Sequence, residues 1–228
     1  MFDILLIDLD DTILDFKKAE AVAIEKTIAS FGLEPTPEVL HRYHLINKMH
    51  WEMMERKEIV REQVLVGRFE VLFREMGVDV DPTLCARTYE GNLSQGHYFL
   101  PGAEDALEQL SKEYRLFLVS NGTARVQAGR LESAGISCYF ENIFISETIG
   151  INKPDKGYFD RCFAQIPDFA PESALIVGDS LSSDILGGKN AGIATCWVNP
   201  EGKKFPIDLT PDYQIESLSQ LSRLLKTL

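Results

Sequence analysis

Met1-Phe2-Asp3-Ile4-Leu5-Leu6-Ile7-Asp8-Leu9-Asp10-Asp11-Thr12-Ile13-Leu14 is the stretch on which the reading of the fold turns. A short apolar run, Ile4 to Ile7, ends in three acids and a threonine: Asp8, Asp10, Asp11 and Thr12. A run this short, rich in β-formers and bounded by polar residues, reads as a buried parallel strand. Ligands of open α/β sheets bind beyond the carboxyl ends of the strands, so these acids stand where chemistry is usually done. Alternation puts Asp8 and Asp10 on one side of the chain and Leu9 on the other. Two carboxylates so close do not both stay charged and unpaired at low cost. A bound Mg²⁺ resolves the conflict, because it is a hard cation that takes carboxylate, carbonyl and water oxygens. The competing reading is a strand end whose acids merely cap the next helix.

Outward from this strand the pattern changes twice. From about Phe16 to Gly91 it is helical and rich in charge. Candidate helices run from Lys18 to Phe31, Pro37 to Glu55, Ile59 to Met76 and Pro82 to Gly91, which predicts a small bundle. From Pro101 helices and strands alternate. Helices are predicted over Ala103 to Lys112, Ala124 to Ser133, Pro154 to Ile166, Ile185 to Ala191 and Ser217 to Leu225. Strands are predicted over Arg115 to Val119, Asn142 to Ser146, Ala174 to Val177 and Ala194 to Val198. That alternation implies an α/β fold, a Rossmann-like parallel sheet with helices on both faces. The first strand most simply joins this sheet. The helical segment is then an inserted α-helical bundle, with hinges near Asp15 to Lys17 and Leu93 to Pro101. The expected division is a core of residues 1–15 and 98–228 and a helical cap of residues 16–97.

The chain has 228 residues, 45% of them hydrophobic, enough for a substantial core. Lys plus Arg number 23 and Asp plus Glu 35, a net charge of −12. So acidic a chain is a poor candidate for binding nucleic-acid polymers or anionic membranes. Any anion site must be built locally, from a metal, a lysine and backbone N–H groups. Cys85, Cys138, Cys162 and Cys196 are scattered without a Cys-x-x-Cys pair, which argues against a zinc site or a disulfide framework. They read as reduced thiols of a cytoplasmic protein. The first residues lack a basic region and their apolar run breaks at Asp8, so no signal peptide is expected.

Three further polar clusters follow predicted strands. Val119-Ser120-Asn121-Gly122 suits a loop that offers N–H and O–H donors to phosphate oxygens, and equally an ordinary Asn-Gly turn. In Asn152-Lys153-Pro154-Asp155, proline holds Lys153 extended and starts the next helix, placing the lysine near an anion-binding helix terminus. Gly178-Asp179-Ser180-Leu181-Ser182-Ser183-Asp184 pairs an acid at a strand end with a second acid five residues on.

In order and placement these four clusters resemble the signature of the haloacid dehalogenase superfamily, along nearly the whole chain. The resemblance implies a Rossmann-like core with a helical cap inserted after the first motif. It implies that Asp8 is the nucleophile and Asp10 the general acid/base. It also implies that Asp11, Thr12, Ser120, Asn121 and Lys153 surround the phosphoryl group. Mg²⁺ would be held by Asp8, the Asp10 backbone carbonyl and Asp179, with Asp184 in support. Superfamily members that remove halide lack the second aspartate, so Asp10 points to phosphoryl transfer.

The inserted stretch His44 to Glu52, with Glu58 to Arg61 and Gly67-Arg68-Phe69, is similar to the cap of bacterial pyrimidine-type 5′-nucleotidases. Asn47 can hydrogen-bond a base or ribose, Trp51 can stack on a base, and Arg61 or Arg68 can draw in an anion. The same residues at helical spacing also suit a bundle core and solvated faces. The expected activity is Mg²⁺-dependent hydrolysis of small phosphate esters, with nucleoside 5′-monophosphates foremost. A sugar-phosphate phosphatase or phosphoglucomutase-like enzyme is the alternative on the same scaffold, and a non-catalytic phosphate-binding module the alternative of another class.

Overall fold

The computed structural model describes residues 2–228. Strand β1 (Ile4–Ile7) lies at the centre of a six-stranded sheet. The others are β2 (Arg115–Ser120), β3 (Asn142–Ile145), β4 (Ala174–Gly178), β5 (Ala194–Val198) and β6 (Tyr213–Ile215), in the order β3-β2-β1-β4-β5-β6. Every pairing is parallel, with Ile7 opposite Leu118 on one side and Val177 on the other. A parallel sheet must be covered on both faces, and successive side chains sort accordingly. Leu5, Ile7 and Leu9 join one apolar cluster, completed by helices α5 (Ala103–Leu110) and α10 (Leu221–Leu225). Ile4 and Leu6 join the other, with Tyr158, Phe159 and Cys162 of α8 (Lys156–Phe163). The strand order reverses its sense between β1 and β4, the switch point where such sheets bind ligands.

Between β1 and β2 the chain leaves the sheet as four helices: α1 (Phe16–Ser30), α2 (Pro37–Glu55), α3 (Arg61–Met76) and α4 (Pro82–Leu93). They enclose an apolar cluster of their own around Ile24, Ile28, Tyr43, Phe69, Leu72 and Tyr89. Three of the four helices have a capped start. Asp15, Thr36 and Asp81 accept backbone N–H bonds as N-caps, and prolines open α2 and α4. The two connections to the sheet run side by side. Leu14 bridges Phe99, and the Asp15 N–H donates to the Tyr98 carbonyl at 2.7 Å.

The largest differences from expectation lie at three places. The edge strand β6 was not expected: three residues carry no readable alternation, and pairing along β5 alone defines it. The closing helix is shorter than Ser217 to Leu225, a 3₁₀ turn at Leu218–Gln220 followed by α10. Pro154 does not start the helix after Lys153, because the Asp155 carboxylate accepts the Gly157 N–H and caps α8 instead.

Candidate active site

The loops after β1, β2, β3 and β4 converge on one cavity between the sheet and the helical layer. Asp8, Asp10, Ser120, Asn121, Lys153, Asp179 and Asp184 line it from below, and Phe16, Trp51, Glu55, Arg68 and Glu90 contribute to the opposite wall. Asp8 and Asp10 both reach it while Leu9 is fully buried on the other side, as alternation requires. Asp11 turns the chain away in the left-handed region, at φ 55°, which a short polar side chain tolerates.

Lys153 is the hub. It is 1% exposed, and its Nζ donates to Asp8 Oδ1 at 2.7 Å, Asp184 Oδ1 at 2.6 Å and the Val119 carbonyl at 2.9 Å. Asn121 holds the lysine backbone at both ends: its Oδ1 accepts the Lys153 N–H at 2.8 Å, and its Nδ2 donates to the Lys153 carbonyl at 2.9 Å. The Ser120 hydroxyl accepts from the Gly122 N–H at 3.1 Å and from Gln127 Nε2 at 2.8 Å. Gly178 is required by close approach, since a Cβ there would overlap the Asp184 carboxylate. Asp184 itself is fixed by the Ser180 N–H at 3.1 Å.

Among the described residues, Asp8, Asp179 and Asp184 form the one group of metal-ligand side chains whose oxygens lie within 4.8 Å of one another. Three carboxylates face one ammonium here. Burial, with Lys153 opposing it and Asp184 and Asp10 adding repulsion, pushes the Asp8 carboxyl up to about 8. Burial and the neighbouring Asp8 and Asp184 likewise hold Asp179 well above the usual carboxylate range. Burial alone would lower the Lys153 ammonium, but Asp184 and Asp8 raise it above its ordinary value. An excess of buried negative charge with only oxygen donors fits a hard divalent cation.

The Asp10 carboxylate lies outside this group. Gln127 Nε2 donates to its Oδ2 at 2.7 Å, and Arg130 Nη1 to its Oδ1. Both partners lie on α6 (Ala124–Ala134), and Arg130 is fully buried. Nothing in residue type or spacing marked Gln127 or Arg130 in advance; only the packing of α6 beneath the cavity brings them to Asp10.

The remaining expected site residues separate. Arg68 and Trp51 line the cavity. Asn47 does not, because both ends of its amide are occupied: Nδ2 donates to Glu20 at 2.6 Å and Oδ1 accepts from Arg68 at 2.7 Å. It therefore orients Arg68, whose guanidinium also stacks 4.8 Å from the Tyr89 ring centre. Arg61 is outside the lining as well, its donors turned onto the loops after β2 and β3. The Asp11 carboxylate accepts the Phe16 N–H at 3.0 Å and so leads into α1. The Thr12 hydroxyl is buried without a hydrogen-bond partner, outside the lining.

Sheet order, an acid-tipped central strand, a buried lysine between carboxylates and an inserted helical layer together define a Rossmann-like α/β fold with a site suited to phosphoryl transfer. The model of the haloacid dehalogenase-like hydrolases matches residues 5–198, and the chain belongs to that family. It is 36% identical to the pyrimidine 5′-nucleotidase PynA of Streptococcus pneumoniae, over 96% of this chain and 93% of that protein. It is 30% identical to the pyrimidine 5′-nucleotidase YjjG of Escherichia coli, over 98% of each. The crystal structure of the HAD-hydrolase YfnB of Bacillus subtilis, bound to magnesium, superimposes with a TM-score of 0.94 at 38% identity over 98% of each chain. Within the family this chain is a phosphoric monoester hydrolase. Among the described residues no helix is long and apolar enough to cross a membrane.

Proposed function

We propose that the chain hydrolyses nucleoside 5′-monophosphates, pyrimidine nucleotides foremost, through a phosphorylated Asp8. Residues 16–97 act as the cap and residues 1–15 and 98–228 as the catalytic core. The observation that carries this reading is a single cavity joining Asp8, Lys153 and Asp179 to Trp51 and Arg68. One end suits a phosphoryl group. The other offers an indole face and a guanidinium to a planar, acceptor-bearing base. The names of PynA and YjjG support the same substrate class.

In the first step an Asp8 oxygen forms a bond to phosphorus as the bond to the ester oxygen breaks. Asp10 gives its proton to the departing alkoxide. In the second step water attacks the phosphorus of the acyl phosphate, Asp10 takes the water's proton, and Asp8 and inorganic phosphate are released. Lys153, held by Asn121, and the Ser120 hydroxyl offset the charge of the phosphoryl oxygens. Gln127 and Arg130 orient the Asp10 carboxylate. Asp8, Asp179 and the Asp10 carbonyl, supported by Asp184, would hold Mg²⁺, which when bound neutralises the acids and stabilises charge on the transferring group.

Phosphate release from a panel of nucleoside monophosphates and sugar phosphates, with Mg²⁺ and with EDTA, tests this reading. Metal-dependent release concentrated on pyrimidine nucleotides is expected. Release concentrated on sugar phosphates would remove the substrate assignment and leave the chemistry. Binding of phosphate esters without turnover would favour a phosphate-binding module.

Two further results are expected. Asp10→Asn should lower kcat on a nucleotide by roughly 10²- to 10⁴-fold, the usual contribution of a general acid/base. The loss should be much smaller in the phosphorylation step for an activated aryl phosphate, whose leaving group needs no proton; equal losses in single-turnover rates would refute the acid role. Mg²⁺ at about a hundred times its dissociation constant should stabilise the fold by about 2.7 kcal/mol. That corresponds to a rise in Tm of about 5 to 10 °C for a chain of this size. Asp179→Asn should abolish most of the rise, and an unchanged rise would place the ion elsewhere.

A further inference from the structure

Arg61 is the first residue of α3, in the helical layer, yet the four hydrogen bonds of its guanidinium all go to the sheet domain. Nη1 donates to the carbonyls of Asn121 at 3.2 Å and Gly122 at 3.1 Å. Nη2 donates to Ser146 Oγ and Asn152 Oδ1, both at 2.7 Å. The Trp51 ring lies 5.6 Å from the guanidinium carbon on the cavity side. One side chain thus ties together the loop after β2, the start of the one-turn helix α7 (Ser146–Ile149) and the residue preceding Lys153.

Two other polar links between the helices and the strand-end loops are more exposed. Lys57 pairs with Asp155, their side chains 78% and 35% exposed. Glu55 accepts from the exposed Ser182 at 2.9 Å. Arg61 instead lands directly on Asn121, the residue that holds the Lys153 backbone. The Asn121 side chain grips the Lys153 backbone through both its N–H and its carbonyl, and Lys153 Nζ bridges Asp8 and Asp184. The path runs Arg61, Asn121, Lys153, Asp8, each link a hydrogen bond of 3.2 Å or less.

We propose that Arg61 is a positioning residue for phosphoryl transfer: seating its guanidinium across the β2 and β3 loops sets Asn121, and through it Lys153, against Asp8. Closure of the helical layer and assembly of the catalytic lysine are then one event. The inference rests on the role given to Lys153 above. Arg61 itself does not touch substrate. A planar fork serves four acceptors that a single ammonium cannot, so arginine is needed here rather than lysine.

The test compares Arg61→Ala, Arg61→Lys, Lys153→Ala and the double variant Arg61→Ala/Lys153→Ala, with kcat and KM measured separately on a nucleotide and on a small aryl phosphate. Misplacement of a catalytic group by about 1 Å costs on the order of 10²-fold in rate, and that loss in kcat is expected for Arg61→Ala. It should be the same on both substrates, because Lys153 acts on the phosphoryl group they share. KM should change by less than about threefold, and Arg61→Lys should restore only part of the rate. In the Lys153→Ala background the Arg61 substitution should be nearly silent, as for residues that act along one path. Full additivity of the two losses would overturn the proposal. So would a higher KM at unchanged kcat confined to the nucleotide, which would make Arg61 a substrate contact. So would a lower Tm at unchanged kcat, which would make it a structural brace. Should Arg61→Ala not fold, Arg61→Lys carries the same double comparison. Absence of phosphate release by the unmodified protein would instead strike the phosphatase reading itself.

Discussion

Asp8→Asn is expected to lower kcat by on the order of 10⁴- to 10⁶-fold, the scale of removing a covalent nucleophile. The amide occupies the same space but cannot form the acyl phosphate. The fold should survive, for a reason the site makes explicit. Burial, only partly offset by Lys153, pushes the Asp8 carboxyl up to about 8, so its charge is poorly accommodated without a cation. A neutral amide removes that burden, and Lys153 keeps Asp184 and the Val119 carbonyl. The Tm of the metal-free variant should lie within about 3 °C of the parent or above it, a change worth about 1 kcal/mol. Circular dichroism and a thermal melt check the fold, and a phosphate-release assay checks the rate. Activity within about tenfold of the parent would remove the nucleophile assignment, since a tenfold loss is only about 1.4 kcal/mol of barrier.

Lys153→Ala is expected to affect stability and rate together. The ammonium is buried between two buried carboxylates, with side-chain exposures of 1% for Lys153, 9% for Asp8 and 1% for Asp184. Breaking a buried ion pair by removing one partner costs about 3 to 5 kcal/mol, because the charge left behind is neither paired nor solvated. The metal-free protein should therefore lose that much stability. A divalent cation should recover part of it, raising the Tm more in the variant than in the parent. The rate should fall by a further independent route. Losing one preorganised donor to developing negative charge costs roughly 10²- to 10³-fold. Thermal melts with and without Mg²⁺, beside kcat at saturating metal, separate the two effects. A variant as stable as the parent without metal would mean that the buried contacts of Lys153 with Asp8 and Asp184 do not hold the fold.

The parts of the fold legible in the sequence were those whose signal is local. The run Ile4 to Ile7 is fully buried on both faces, so its composition is continuous apolar and its boundaries are sharp. Pro37 and Glu55 bound α2 as expected, because an N-cap, a proline and a long amphipathic run all agree. Strand β6 carries no such agreement, being short and defined by its neighbour. The four strand-end clusters were legible as a set, since a parallel sheet gathers the carboxyl ends of its strands at one edge whatever lies between them. The cap was not. Asn47, Trp51, Arg61 and Arg68 share plausible chemistry, but their facing depends on how the helical layer sits over the sheet. That arrangement leaves Trp51 and Arg68 in the cavity, places Asn47 behind Arg68 and turns Arg61 onto the core. Gln127 and Arg130 are the converse case. They are an ordinary pair on a helix until packing delivers them to Asp10.

The central claim is that the phosphoryl group passes through Asp8. Rapid acid quench of the Mg²⁺-loaded enzyme with a nucleotide carrying labelled phosphate, followed by peptide mapping at low pH, addresses it directly. The expected result is label on the protein within the first turnover, as an acyl phosphate in the peptide that contains Asp8 and absent from Asp8→Asn. Release of free labelled phosphate at the full rate from the first turnover, with none ever attached to that peptide, would contradict it.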